Sequence, residues 1–451
     1  MIETTGDCTR FQRENQDGDW FVYIVPVEED IHPTVNHPSI LFIRNLSTKK
    51  TYWFAFEHPD SIPTVPHAWF VNDFLLKSNN HKWTLDTKAF RQMLNLPDMR
   101  DANLASHLQH NEIFDLVNYE TPAHFLVRKN SGGRGKVNLA IPLMKHKEMF
   151  DEIADDVRKV ISKYEPDNGF FRFDELVIGT LGRLEQQGIF VDREMFRQKY
   201  NIDVGLDGIT HSQYNVYTST GRPSNRFGGV NYAALNQTDG TRKCFRSRYG
   251  QDGRMVVVDY TTFHPRIICH LTKYQIPVEI DIYEYLAKLY FQKKEIDETD
   301  IKNAKQLTFR QFFGGVENDY SHIKYLSNLK LFIDTQWDFF QNNGYVLTPL
   351  FGRKITKDHI IDPNPPKVFN YILQATEGEV SIPRVKTVLE YLQDKKTKAV
   401  LYTYDAVLYD FHKDDGYETL KEIRRIMSFD GMFPMKTYIG ETYHDVRLIS
   451  L

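Results

Sequence analysis

Met255, Val256, Val257 and Val258 form an unbroken apolar, mostly β-branched run, which predicts a strand covered on both faces. Asp259 stands where that strand ends. Pro265, with φ suited to a first helical position and no N–H to waste, predicts a helix beginning there and carrying Arg266, Ile267 and His270. A second carboxylate, Asp405, sits in LYTYDAVLYDF (401–411), flanked by apolar and aromatic residues that predict a strand or hairpin. Between them TDIKNAKQLTFRQFFGG (299–315) has helical periodicity ended by Gly314 and Gly315, with Lys305 and Phe309 four apart on one face.

The first third of the chain reads differently. FVYIVPV, SILFIRN and KTYWFAFE predict a strand meander over residues 20–60, with turn chemistry at Asn45 to Lys50. DTKAFRQML and DANLASHLQ predict helices beginning at Asp86 and near Asp101, and residues 145–163 a charged amphipathic helix. RKNSGGRGK (128–136) reads as a flexible basic loop, either a linker or a phosphate contact.

Composition narrows the class. The 451 residues are 41% hydrophobic and 26% charged, which excludes disordered and fibrous chains and leaves room for two or three domains. A net charge of −4 means that any nucleic-acid path must be locally basic. Cys8, Cys244 and Cys269 form no zinc or disulfide pattern, as suits a reducing interior. With no signal peptide and no run long enough to span a bilayer, the expectation is a soluble cytoplasmic protein without a membrane partner. No internal repeat or low-complexity tract is evident.

An aspartate at a strand end either caps the following helix or helps to hold a metal ion. Two of them brought together repel each other, and a divalent cation relieves that repulsion. Two such ions can activate a hydroxyl and stabilise the leaving oxygen of a phosphoryl group. Lys305 and Phe309 are either one face of an ordinary amphipathic helix or a phosphate contact and a base-stacking ring.

At these residues the chain resembles the family A DNA polymerases. VVVDYTTFHPRI is similar to the first palm motif, KNAKQLTFRQFFGG to the fingers helix, and YTYDAV to the second palm motif, normally His-Asp-Glu. TSTGRPSNRF (218–227), NYAALN (231–236), GYVLTPLFGRKI (344–355) and YILQATEGE (371–379) match further motifs in the same order. The resemblance implies a polymerase domain of palm and fingers over 170–451, with Asp259, Asp405 and the Tyr260 carbonyl holding two Mg²⁺, or Mn²⁺ as a substitute. It implies that Tyr260, His264, Lys302, Lys305 and Phe309 meet the incoming dNTP. Thr220, Arg222, Asn236, Arg242, Arg246, Arg353, Gln374 and Tyr404 would meet primer-template DNA. The alternatives remain a solvated face for the basic run RKCFRSRYGQDGR (242–254) and a backbone-satisfied helix glutamine for Gln374.

Residues 1–127 resemble, weakly, the 3′–5′ exonuclease (RNase H-like) domain of the family, followed by a linker and helix over 128–169. The overall expectation is therefore an α/β (α+β) chain. Several departures qualify the resemblance. The nuclease carboxylate pair is missing from YIVPV, and the helix that should carry an aspartate reads Lys88-Ala89-Phe90, so the domain is expected to be inactive. Glu28, Glu29 and Asp30 could serve a nuclease site or form a solvated turn. Asp192 and Thr220 leave 27 residues between them, too few for a duplex-gripping helical hairpin at ~1.5 Å per residue. A vestigial thumb is expected around 193–217, with a weak, salt-sensitive grip unless the basic loop, a processivity factor or another replication protein assists.

Within the core, His264 replaces a glutamate, Ile301 an arginine, and Tyr404 and Ala406 the family's His and Glu. The resemblance implies a template-directed DNA polymerase, and its reductions imply a compact one of viral or mobile-element origin, cytoplasmic, and in the host cytoplasm if viral. The competing readings are an RNA-synthesising or primase-like relative and a catalytically dead DNA-binding replisome scaffold.

Overall fold

Residues 7, 10–11, 18–29, 31–61, 81–94, 99–131, 136–164, 168–225 and 230–451 are described by the computed structural model, the side chains of 168–172 excepted. Cys8 and Asp30 lie outside the described residues, as do 132–135 of the basic loop and 226–227 of TSTGRPSNRF. The chain divides into two units, Met1–Pro166 and Asp167–Leu451.

The first unit is built on a five-stranded sheet ordered Thr51–Ala55, Pro38–Asn45, Trp20–Pro26, Lys82–Thr84 and Arg100–Asp101. The first three strands form the expected antiparallel meander, and the last two run parallel to Trp20–Pro26. Asn45 closes the turn, its Oδ1 accepting from the N–H groups of Ser47 and Thr48. Alternate residues along the strands go to opposite faces, and both faces are covered. Trp20, Val22, Ile24, Leu41 and Ile43 pack with Phe90 and Met99. Phe21, Val25, Ile40 and Phe42 pack with Phe150 and Ile153 of the Leu143–Ile161 helix. Phe150 stacks on Phe21 and Phe42 at 5.4 and 5.1 Å between centroids. The helices expected after the strands span Thr87–Leu94 and Ala102–His110, the latter capped by Asp101.

Two expectations are corrected here. The helix expected at 145–163 is a wall of this core rather than part of a linker, because its apolar stripe has nowhere else to be buried; the division between units falls at 166/167. Residues 128–131 end the Pro122–Ser131 helix instead of opening a loop, and Arg128 is paired with Glu29 at 2.6 Å and with Glu120. Lys136 meets Glu57 at 3.2 Å. Much of the positive charge expected to be offered to phosphates is thus balanced within the unit.

A chain of buried imidazoles ties this unit to neutral pH. Thr121 Oγ1 lies 2.7 Å from His124 Nδ1, His124 Nε2 lies 3.2 Å from His146 Nδ1, and His146 Nε2 lies 2.9 Å from the Asn138 carbonyl. That carbonyl only accepts, so His146 carries its proton on Nε2, His124 donates to it, and Thr121 donates to His124. Every ring nitrogen is satisfied in the neutral state. A proton added at His146 Nδ1 would face another N–H, and burial already drives the His146 pKa down to about 4 and lowers that of His124. Because the unfolded chain binds the proton first, stability falls as pH drops below about 6.5, the loss from His146 saturating near pH 4. Trp20, Trp53 and Trp83 report on this unit. Their urea midpoint should move down between pH 7 and 5 by an amount equivalent to roughly 2 kcal/mol, and His146→Gln should flatten that pH dependence.

The second unit carries an antiparallel sheet ordered Lys398–Tyr402, Ala406–His412, Gly253–Tyr260, Met435–Gly440 and Arg447–Ile449. Met255, Val256 and Val258 are buried in its central strand, as the unbroken apolar run predicts. The 27-residue helix Pro365–Tyr391, largely buried, packs against the helices Asn168–Gln187 and Lys324–Asn343. Between Asp192 and Thr220, all described, the only helix is Arg193–Tyr200, capped by Asp192. Among the described residues no helix is long and apolar enough to cross a membrane.

Candidate active site

Strand register brings the two aspartates together. Asp259, next to last in its strand, pairs with Ala406, the residue after Asp405, and the Tyr260 N–H donates to the Asp405 carbonyl at 2.8 Å. Asp405 ends the turn of a hairpin in which Tyr404 has φ +74, a left-handed conformation uncommon for a large side chain. Beyond Tyr260 the chain turns through Thr262, also left-handed at φ +53, into the helix Phe263–Leu271. That helix starts two residues before Pro265. The proline sits third in the first turn, where its missing N–H is still one that no helical carbonyl would use.

The carboxylates open into a cleft of about 440 Å³ whose lining includes Arg222, His264, Tyr283, Lys305, Phe309, Phe313, Glu377, Lys436 and Tyr438. Burial, then the Asp405 charge, pushes the Asp259 pKa up to about 7, against Lys436 and Lys305. Burial, then Glu377, raises that of Asp405, although its side chain is open to the cleft. Among the described residues neither aspartate forms a salt bridge. The nearest cations act on them without neutralising them.

The helix carrying Lys305 and Phe309 spans Glu298–Gly314, opened by an Asp297/Asp300 capping box and closed by Gly315. Lys305 Nζ lies 5.7 Å from the Tyr283 ring centroid. Phe309 stacks on Phe313 at 5.8 Å and leans on Tyr283 at 6.3 Å, so an aromatic wall faces the aspartates. Lys302 is exposed on the same helix and does not line the cleft.

Several residues assigned to nucleotide or DNA are placed otherwise. The Tyr260 ring stacks on Phe263 at 4.0 Å and its hydroxyl donates to the Met427 carbonyl, leaving only main-chain groups for a ligand. Arg353 is buried, 1% exposed, ion-paired with Asp174 and bonded to the Thr218 carbonyl; it shapes the 218–222 loop and cannot reach DNA. Its guanidinium passes so close to Gly221 that a Cβ there would lie 2.7 Å from Nη1, and Gly221 has φ +71. Thr220 is buried and accepts from the Arg222 N–H. Arg222 is drawn into the cleft, its guanidinium 3.8 Å over the Tyr404 ring and its Nε 3.0 Å from Glu377.

Arg242 donates to the Leu235 carbonyl and covers the Tyr443 ring at 4.2 Å, while Arg246 is exposed and 3.8 Å from Asp192. Within the basic run, Arg248 is tied to buried Asp410 at 2.8 Å. Asn236 is exposed, its side chain accepting from Thr238, and Gln374 is half-buried on the long helix.

Sequence reading missed Glu377, Lys436, Tyr283 and Phe313. Phe313 follows Phe309 at helical spacing and could have been found. Lys436 reaches Asp259 only through strand pairing, and Glu377 is 118 residues away from Asp259 along the chain.

The residues present suit divalent metal ions. Two close carboxylates of raised pKa without an ion-pair partner favour a cation, and Mg²⁺ commonly takes one or two protein carboxylates with the rest from water and phosphate. Among the described residues no cluster of three or more His, Cys, Asp or Glu side chains could hold a metal by itself.

No protein-family model matches the chain, and no curated protein matches it in sequence. Among solved structures, the POL domain of Pol1 from M. smegmatis, in complex with DNA primer-template and dNTP, is similar in fold: TM-score 0.74, 14% identity, covering 98% of this chain and 99% of that one. The chain therefore has the fold of a DNA polymerase POL domain, in agreement with the mixed α/β expectation.

Proposed function

We propose that this protein is a template-directed DNA polymerase that adds deoxynucleotides to a primer 3′ end. The observation that carries the reading is the cleft itself, where an unneutralised aspartate pair faces Lys305 and an aromatic wall, on a fold like that of a protein solved with primer-template and dNTP. A nucleoside triphosphate has the matching sequence of groups: anionic phosphates, sugar, flat base.

Asp259 and Asp405, with the Tyr260 carbonyl, would hold two Mg²⁺. When bound, these ions lower the pKa of the attacking hydroxyl and stabilise charge on the leaving phosphate. Lys305 places a cation where phosphate charge develops, and Phe309 with Phe313 supplies the face for the base. Asp259 and Asp405 hold no proton in the working state, so the cations of the cleft and the metal must together suppress their raised pKa values.

Primer extension with Mg²⁺ and a defined template tests the reading directly; absence of template-dependent products would overturn it. Lys305→Ala should lower kcat/KM for dNTP by about 10- to 100-fold, the loss of one charge-assisted phosphate contact. DNA affinity should be little altered. A second reading, RNA synthesis, is motivated by His264 in the cleft wall, and comparing dNTP with rNTP incorporation separates the two.

A further inference from the structure

Lys436 stands directly opposite Asp259 where the strand Met435–Gly440 pairs with the central strand of the second unit's sheet. Residues paired in this way put their side chains on one face of the sheet, with Cβ atoms about 5 Å apart. Both line the cleft. At that spacing a lysine and an aspartate can close a salt bridge, yet Lys436 is exposed and makes no ion pair or hydrogen bond among the described residues. Its charge is directed into the cleft without a protein partner.

The strand order puts Asp259 between the hairpin of Asp405 and the strand of Lys436. The charges sort the same way. Burial raises the pKa of both aspartates; against it act Lys436 and then Lys305 at Asp259, and Arg222 and His264 at Asp405. Lys436 therefore shares with Lys305 the Asp259 side of the cleft, where the triphosphate belongs on the polymerase reading. A cation beside a carboxylate that holds metal repels the metal, so alone this lysine works against the site. A polyanion bound beside it reverses the sign, and the β- and γ-phosphates of a nucleotide are such a group.

We propose, building on the polymerase reading, that Lys436 contacts the β- and γ-phosphates of the incoming nucleotide from the sheet, as Lys305 does from its helix, and holds them as pyrophosphate leaves. In nucleotide addition the primer 3′-oxygen bonds to the α-phosphorus and the bond from that phosphorus to the α,β-bridging oxygen breaks. The electron pair of the broken bond stays with pyrophosphate, and the hydroxyl proton passes to water. Lys436 transfers no proton; it balances the charge that grows on the departing phosphates.

The test is the reverse reaction, in which pyrophosphate enters as a free substrate. Primer-template with Mg²⁺ and no dNTP is shortened by added pyrophosphate, and initial rates against pyrophosphate concentration give its KM. Lys436→Met should raise that KM at least about tenfold, the loss of one charge-assisted phosphate contact, and lower the forward kcat/KM for dNTP by a similar factor. Lys436→Arg, which keeps the charge, should recover most of both. Primer-template affinity and its salt dependence should stay as in wild type. An unchanged pyrophosphate KM in K436M would overturn the proposal. So would a loss of primer-template affinity with a shallower salt dependence, which places the lysine on the DNA backbone, or an effect that vanishes at saturating Mg²⁺, which means that it acts only through metal at Asp259. If K436M melts early, Lys436→Gln is read in the same assays. A wild-type protein that neither extends a primer nor shortens one with pyrophosphate would instead remove the polymerase reading, and this inference with it.

Discussion

Asp259→Asn should abolish primer extension and at the same time make the metal-free protein more stable at pH 8. Activity should fall by three orders of magnitude or more, because the charge lost is one that would hold metal at the reacting phosphate; this corresponds to about 4 kcal/mol of transition-state stabilisation. The stability gain has the opposite origin. Burial and Asp405 move the Asp259 pKa from 3.8 to about 7, so the folded state keeps a proton that the unfolded state has released. Folding stability therefore falls as pH rises from about 4 to about 7, and above 7 the whole cost is present. The shift corresponds to roughly 4 kcal/mol, which water in the open cleft reduces to about 2. Asparagine removes that cost at every pH. Thermal melts at pH 8 in EDTA should show the variant melting above wild type, and added Mg²⁺ should raise wild type but not the variant. A variant that extends primers normally, or one that melts lower in EDTA, would count against the aspartate pair as a metal site.

Arg353→Met should cost about 3–5 kcal/mol of stability in the second unit, the usual result of removing one partner of a buried ion pair. Asp174, which burial already pushes toward the protonated form against the pull of Arg353, would be left without its cation, and the Thr218 carbonyl would lose its donor. The double change Arg353→Met with Asp174→Asn should recover much of the loss. The urea midpoint of the isothermal unfolding curve is the measurement. If R353M kept the wild-type midpoint and instead weakened DNA binding with a shallower salt dependence, the side chain would be reaching phosphate after all.

These two residues show where local pattern is enough and where it is not. The run of β-branched residues before Asp259, the capped helix with Lys305 and Phe309 on one face, and the hairpin around Asp405 are local features. Their hydrophobic period and end signals lie within a dozen residues, and the chain alone determined them, together with the strands and the Asp86 and Asp101 helices of the first unit. Their order along the chain carried the resemblance and, through it, the expectation of Asp259, His264, Lys305, Phe309 and Asp405, which line one cleft.

Charge was another matter. An arginine reads the same in sequence whether it is solvated, bound to phosphate or locked on a buried carboxylate. The resemblance placed Arg353 and Arg222 at DNA, and the stretch with Arg128 read equally as a linker or a phosphate contact; only the fold, by placing Asp174, Glu377 and Glu29 beside them, decided their partners. The same holds for Lys436, set against Asp259 by strand register, and for the Leu143–Ile161 helix, whose apolar stripe is legible but whose destination is not. Amphipathic period is a property of neighbouring residues, while the partner that buries a face or neutralises a charge is a property of the whole folded chain.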